Sequence, residues 1–339
     1  MMNWEYWPMQ AIYLPLMPVW FYYAIRSRSL FFFSASNPGI AFGGMGMESK
    51  MDIYKKMQRD LIPETVFIEQ GLDQKQIETL LKNSGIAFPC IVKPDIGMKA
   101  LAVEKIFSSE TLLNYAKKLN RDFLIQELIT FEQEIGVFYS RMPGHQSGVV
   151  TGVVYKEFLK VTGDGRHTLG ELIMMNARSA FQWKFLEKKY GNKMQDVLPH
   201  EENLTLVPFG SHTRGAKFLD ITNSVDQRLH EIIDKVCVNI DGFYFGRLDI
   251  RFESWESFLE RHEFKIIEVN GAGSEPTHMY DPRHSLWFAW SEIAGHWKLL
   301  YETAKENHRR GHAYSSFSEG LWMIKQSKKL EKNLYQITS

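Results

Sequence analysis

Gly246-Arg247-Leu248-Asp249-Ile250-Arg251-Phe252, followed by Lys265-Ile266-Ile267-Glu268-Val269-Asn270-Gly271, is the stretch that decides the fold. Both pieces alternate apolar with polar positions and are rich in Leu, Ile, Phe and Val, the pattern of strands. The charged segment from Glu253 to Glu263 joins them as a turn or a short helix. Side chains alternate across a strand, so Glu268 and Asn270 share a face, as do Arg247 and Asp249. Paired as a hairpin, the two strands bring Asp249, Glu268 and Asn270 within reach of one another. Two carboxylates and an amide oxygen are hard ligands suited to magnesium, which completes its shell with water and phosphates. The arginine beside them offers a planar fork to phosphate or carboxylate oxygens. An ordinary charged sheet face would carry the same residues, so the remainder of the chain has to decide.

With 339 residues there is room for two or three small domains or one elaborate one. The 40 basic and 40 acidic residues give a formal net charge of +0, which offers no field for gathering nucleic acid, and no nucleic-acid partner is expected. Cys90 and Cys237 lie far apart in apolar contexts. That usage fits buried, reduced thiols in a cytoplasmic setting and excludes a disulfide framework or a zinc site.

From Tyr6 to Ile25 the chain carries no charge and is crowded with aromatic residues. The run is long enough for a membrane span. Pro8, Pro15, Pro18 and Gln10 argue against one, and no basic region or small-residue cleavage site marks a signal peptide. A segment packed against the rest of the chain is the first reading; an interfacial helix giving peripheral membrane contact through residues 6–25 is the second.

Further along, Leu30–Phe33 reads as a buried strand, and Asn37-Pro38-Gly39 with Gly43-Gly44-Met45-Gly46 as loop. Glycines there mean a tight bend or a backbone approach. The pattern predicts a helix from Lys50 to Leu61, a strand over Val66–Glu69, and a helix from Asp73, its cap, to about Asn83 before Gly85. A buried strand from Phe88 ends on Lys93, strands follow at Ala102–Ile106 and Phe123–Leu128, and a helix spans Ser109–Leu119. Glu134–Arg141 and Gly148–Lys156 form an antiparallel pair. Helices are expected from Leu169, over Ala180–Tyr190, over Val225–Ile240 and over Ser285–Asn307, with a polar loop at His212–Lys217 and a frayed basic tail from Lys325. Strands in this order with helices to one side describe an α+β layout.

The hairpin, the strand ending on Lys93 and the segment Gln126-Glu127-Leu128-Ile129-Thr130 occur in an order that resembles the ATP-grasp superfamily of ligases, among them D-alanine–D-alanine ligase, cyanophycin synthetase and glutathione-type ligases. The resemblance runs from about Lys50 to Tyr301. It implies two α+β subdomains clasping ATP, preceded by an abbreviated α/β segment. The divisions it suggests are 1–48, the aromatic N-terminal segment; 49–130, the central subdomain; 131–310, the C-terminal subdomain; and 311–339, a basic tail.

By that resemblance Lys50 and Lys93 contact the phosphates of ATP, with Lys156 (or Lys160) as a further phosphate contact. Glu127 meets the adenine amino group beside the backbone of Leu128 to Thr130, and Glu134 meets the ribose. Arg247 steadies the transferring phosphoryl oxygens, and Asp249, Glu268 and Asn270 hold Mg2+, with Mn2+ as a possible substitute. His212, Arg214 and His278 sit on loops expected on the acceptor side. Thr162-Gly163-Asp164-Gly165-Arg166-His167-Thr168 and the helix after it are similar to a turn of cyanophycin-synthetase-like members. The implied activity is ADP-forming ligation of a small carboxylate to an amine, an amino acid or peptide, through an acylphosphate. A homodimer and peripheral membrane contact are compatible with it.

Three features depart from the family. The loop Asp95–Ala102 has a single glycine, the region before Lys50 is short, and Gly271-Ala272-Gly273-Ser274-Glu275-Pro276-Thr277-His278 replaces the turn of D-alanine ligases. The reading set against a ligase is a weakened nucleotide-binding module docked through its aromatic N-terminus.

Overall fold

The computed structural model describes residues 4–208 and 210–338. Residues 1–3 of the expected N-terminal segment and Ser339 of the expected tail lie outside them. The chain divides into two compact units, Met1–Val154 with Asp220–Ser339, and Tyr155–Leu219.

The first unit opens with α1 (Met9–Tyr13) and α2 (Met17–Ser27). No helix among the described residues is long and apolar enough to cross a membrane. One face of α2 is packed: Trp20 meets Phe32 and Trp297, and Tyr23 stacks on Tyr301 with ring centroids 4.6 Å apart. Phe21, Tyr22 and Ile25 on its other face are exposed.

Leu30–Phe33 is not a strand. A 3-10 turn spans Phe32–Ala35, and all three phenylalanines are buried in the core that holds α2. A four-residue apolar run satisfies burial in either geometry, and no partner strand is there to select the extended one. The glycine loop that follows serves backbone against backbone. A Cβ on Gly44 would lie 2.7 Å from Gly271 Cα, and Gly43 and Gly44 accept hydrogen bonds from Ala272 and Gly273. Asn37, fully buried, donates to the carbonyls of Gly43 and Phe245 and accepts from the N–H groups of Tyr244 and Phe245. One amide thereby ties the N-terminal segment to the chain at Tyr244 and Phe245.

The expected helix from Lys50 is a single turn and a half, α3 (Lys50–Tyr54), capped by Ser49. A four-stranded antiparallel sheet comes next, built from β1 (Thr65–Ile68), β2 (Cys90–Pro94), β3 (Glu104–Ile106) and β4 (Phe123–Glu127) in the order β1-β4-β2-β3. Between β1 and β2 lies α4 (Gln74–Ser84), whose capping box at Asp73 and left-handed Gly85 are the signals read from sequence. Between β3 and β4 lies α5 (Ser109–Leu119).

The second sheet has five strands. It takes β5 (Gln133–Ser140) and β6 (Val149–Glu157) before the chain enters the other unit. That unit contains the antiparallel pair β7 (Leu159–Thr162) and β8 (Asn203–Val207), covered by α6 (Leu169–Met175), α7 (Ala177–Ala180) and α8 (Trp183–Tyr190). Leu172, Ile173, Leu186 and Leu206 form its core. In the turn before α6, Asp164 accepts from the N–H groups of Arg166 and His167 and pairs with the His167 ring.

The chain returns through β9 (Lys217–Asp220), a strand where sequence suggested only loop, and α9 (Gln227–Val238). The hairpin follows as β10 (Phe245–Phe252) and β11 (Phe264–Asn270), joined by α10 (Trp255–Arg261). The sheet order is β11-β10-β5-β6-β9.

After α11 (Leu286–Arg309), the tail expected to fray is a continuous helix, α12 (Phe317–Thr338). Leu330 and Leu334, one turn apart, are buried in the same core as Val92, Leu101 and Ile125. Exposed lysines conceal this apolar stripe in a reading by composition. Leu334→Ala should therefore destabilise the protein by about 2–5 kcal/mol, read as a shift of the urea midpoint; a shift under about 0.5 kcal/mol, as surface substitutions give, would mean that α12 contributes nothing to the core.

Candidate active site

Strand register assembles the site. Asp249 lies directly opposite Glu268, and Arg247 opposite Asn270, so all four side chains share one face of the β10–β11 ladder. On the other side of β10, Gly136 is the partner of Asp249. A Cβ there would lie 2.9 Å from Val154 and 3.2 Å from the Asp249 carboxylate, so glycine leaves the space that the acid and Arg247 occupy.

Arg247 donates through Nε to Asp249 Oδ1 at 3.0 Å and through Nη2 to Oδ2 at 3.3 Å, with both side chains largely buried. Burial alone would lower the pKa of this guanidinium, but the charges of Asp249, Glu268 and Glu275 outweigh it and the pKa is raised. Its third contact is Nη1 to the carbonyl of Glu275 at 3.4 Å.

Lys93 approaches from β2. Its ammonium donates to Tyr54 Oη at 2.9 Å, Gln126 Oε1 at 2.9 Å and Ile267 O at 3.1 Å, so three elements meet on one buried cation. Burial lowers its pKa to about 8, against the opposing pull of Glu268 and Asp95. Lys50 stands at the start of α3, 3.8 Å from Glu268 Oε1, and donates to the carbonyl of Gly97. Asp95 accepts from the Met51 N–H at the same helix start.

Magnesium is implied by the resemblance, and the donors here fit a hard cation. Asp249 and Glu268 supply carboxylate oxygens, and the Nδ2 of Asn270 is buried with no hydrogen-bond partner among the described residues. That nitrogen is a donor and cannot ligate a cation, so Asn270 would offer a metal only its Oδ1. No group of three or more His, Cys, Asp or Glu side chains suited to a metal occurs among the described residues.

The expected nucleotide residues fall into two groups. Lys50, Lys93, Arg247, Asp249, Glu268 and Asn270 come together as described. Glu127 ends β4, where its carboxylate accepts from the Glu64 N–H at 3.0 Å. Leu128 and Thr130 lie in the connection to β5, and Arg251 spans that connection, donating to Ile129 O and to the buried Glu134. Lys156 is buried near the end of β6. Arg214 belongs to the smaller unit, where its guanidinium lies over the Phe185 ring. His212, in the same short 3-10 turn, packs on Phe218. His278 is buried, bonded to Glu292 at 2.9 Å and packed so closely on Gly152 that a Cβ there would collide with its ring.

The glycine-poor loop after Lys93 bends through left-handed conformations at Lys99, Ala100 and Ala102, none of them glycine. The C-terminal helix holds it. Lys99 pairs with Glu331 at 2.6 Å, and the Ala102 N–H donates to Thr338 Oγ1. Sequence reasoning missed this support, since its partners lie more than two hundred residues away.

No protein-family model matches the sequence, and no curated protein sequence does. Solved structures similar to it include the VanG D-Ala:D-Ser ligase from Enterococcus faecalis, at 12% identity and a TM-score of 0.42, covering 76% of this chain and 61% of that one. A bifunctional glutathione synthetase from Pasteurella multocida shares 13% identity at a TM-score of 0.38, covering 74% of this chain and 36% of that one. The ATP-grasp ligase PsnB, with its minimal precursor, shares 11% identity at a TM-score of 0.35, covering 67% and 52%. The chain thus spans less than two thirds of each of these three proteins.

Proposed function

We propose that the chain is an ATP-dependent, ADP-forming ligase that joins a carboxylate to an amine or related nucleophile through an acylphosphate. The observation that carries this reading is the convergence of Lys50, Lys93 and Arg247 with Asp249, Glu268 and Asn270 on one face of a hairpin. Three cations facing an oxygen donor set suit the transfer of a phosphoryl group, whose charge must be neutralised and whose position must be fixed.

A substrate carboxylate oxygen would attack the γ-phosphorus, the bond to the bridging oxygen would break, and ADP would leave. The amine would then attack the acyl carbon, expelling phosphate and losing a proton as the amide forms. Asp249, Glu268 and Asn270 would hold Mg2+, which neutralises phosphate charge when bound. Lys93 and Lys50 bind the phosphates, Arg247 orients the transferring group, and Glu127, the 128–130 backbone and Glu134 are assigned to base and ribose. The buried, unpaired Cys90 and Cys237 support a reducing, cytoplasmic setting.

The test is ADP release from ATP and Mg2+ across pooled amino acids, dipeptides and small carboxylates. Turnover should require one carboxylate plus one amine and fall by roughly a hundredfold in Glu268→Gln. Failure to bind an ATP analogue would sink the proposal.

A second reading, a nucleotide-binding module docked on a membrane surface, draws on the exposed Leu14, Phe21, Tyr22 and Ile25 beside Arg26. ATP binding without turnover in any pool, together with flotation on anionic vesicles, would favour it.

A further inference from the structure

The loop over residues 95–102 touches the proposed phosphate lysines at one end and α12 at the other. Its first half belongs to the site. The Lys50 ammonium donates to the carbonyl of Gly97 at 3.1 Å and lies 3.8 Å from Glu268. The Met51 N–H, next to Lys50, donates to the Asp95 carboxylate at 2.9 Å.

The second half belongs to α12. Ala102 is buried, its N–H donating to Thr338 Oγ1 at 2.9 Å and its carbonyl accepting from Tyr115 Oη at 2.8 Å. Leu101 and Ala102 share one core with Leu330 and Leu334, and Met98 packs against it. The Lys99–Glu331 pair is half exposed and adds little. Without Thr338, however, the Ala102 N–H would be buried and unpaired.

This half does not hold its shape by itself. Lys99, Ala100 and Ala102 take φ of 55°, 52° and 56°, the left-handed region in which a Cβ crowds the following carbonyl. Three such residues in four positions persist only where their surroundings over-determine them. A strained loop gripped by a helix at one end, and touching the site at the other, has two states, held and released.

We infer that α12 is a strap that sets the nucleotide affinity of the site. While Thr338 grips the loop, Gly97 offers its carbonyl to Lys50 and the lysine stays beside Glu268. When the strap lets go, the loop relaxes and the phosphate side of the site loosens. The inference rests on the proposed function and adds a regulation to it. Coupling between sites is reciprocal, so a bound nucleotide tightens α12 on the loop.

The test is hydrogen exchange of the full chain, with and without a non-hydrolysable ATP analogue, beside the affinity for that analogue. Thr338→Val keeps the side-chain shape and removes the acceptor. Without ligand, exchange over residues 96–102 should quicken by roughly ten- to a hundredfold while β2 and β4 stay as protected as in wild type. A merely structural helix would loosen those strands as well. The analogue should bind roughly five- to fiftyfold more weakly, and in wild type it should slow exchange in the last two turns of α12. Glycine takes a left-handed conformation without strain, so in an Ala100→Gly background Thr338→Val should weaken binding less. Glu331→Gln breaks only the ion pair and should act in the same direction with a smaller effect; it serves should Thr338→Val misfold.

Unchanged exchange over residues 96–102 in Thr338→Val, unchanged affinity for the analogue, or no protection of α12 by bound analogue would each overturn the inference and leave the ligase reading standing. A wild-type chain that binds no analogue would overturn that reading and the nucleotide control together.

Discussion

Arg247→Ala is expected to damage both stability and turnover, for separate reasons. In the fold, the guanidinium is the neighbour that compensates the Asp249 carboxylate, whose side chain is 6% exposed. Removing one member of a buried ion pair strands the other, at a cost of about 3–5 kcal/mol. On the ligase reading, the lost fork would no longer meet the transferring phosphoryl oxygens, and ADP release should fall by roughly a hundred- to a thousandfold. Urea unfolding and ADP release measure the two effects independently. The double variant Arg247→Ala with Asp249→Asn should recover part of the stability, because the stranded charge is gone, and none of the turnover. Arg247→Lys should keep the charge and lose the bidentate geometry, giving an intermediate result in both assays. A stability loss below about 1 kcal/mol for Arg247→Ala would mean that groups other than the guanidinium satisfy Asp249.

What the sequence made legible follows the range of the interaction that specifies it. The hairpin was readable because alternation along two short strands fixes which side chains share a face, whereas the register that sets Asp249 opposite Glu268 is seen only in the structure. The Asp73 cap, the Gly85 stop and the limits of Ser109–Leu119 are local chemistry and were equally readable. Lys93 announced itself because an ammonium ending an apolar strand must have partners.

The remainder depended on distant neighbours. Nothing near Phe32 and Phe33 says that Trp20 will pack on them as a turn. Nothing near Lys99 says that Glu331 will hold its loop. The α12 stripe was the exception that could have been found: Met323, Leu330 and Leu334 recur at helical spacing beneath the lysines. The hydrogen bond from Tyr13 Oη to Glu275 Oε1 spans 262 residues and had no local signal.

Lys93 makes the second large effect measurable through pH. Its pKa is about 8 in the folded protein against an ordinary 10.5, because burial disfavours the charged form. Below pH 8 both folded and unfolded chains hold the proton, and the fold bears the full penalty of a buried cation. Between these two values the folded chain has released its proton while the unfolded chain still binds it, so stability rises with pH. The fall from 10.5 to about 8 corresponds to roughly 3 kcal/mol. Lys93→Met should lack this rise, and subtracting its urea-unfolding profile from that of wild type isolates the contribution from other lysines, tyrosines and thiols. A bound triphosphate has the opposite preference, since only the charged ammonium attracts it. On the ligase reading, wild-type affinity for ATP should therefore weaken as pH passes 8, whereas Lys93→Met binds ATP roughly tenfold to a hundredfold more weakly with no such dependence. A flat difference between the two profiles from pH 8 to 10.5 would show that Tyr54, Gln126 and the Ile267 carbonyl solvate the ammonium as well as water does. An ATP affinity equally flat, and unchanged in Lys93→Met, would remove this lysine from the site.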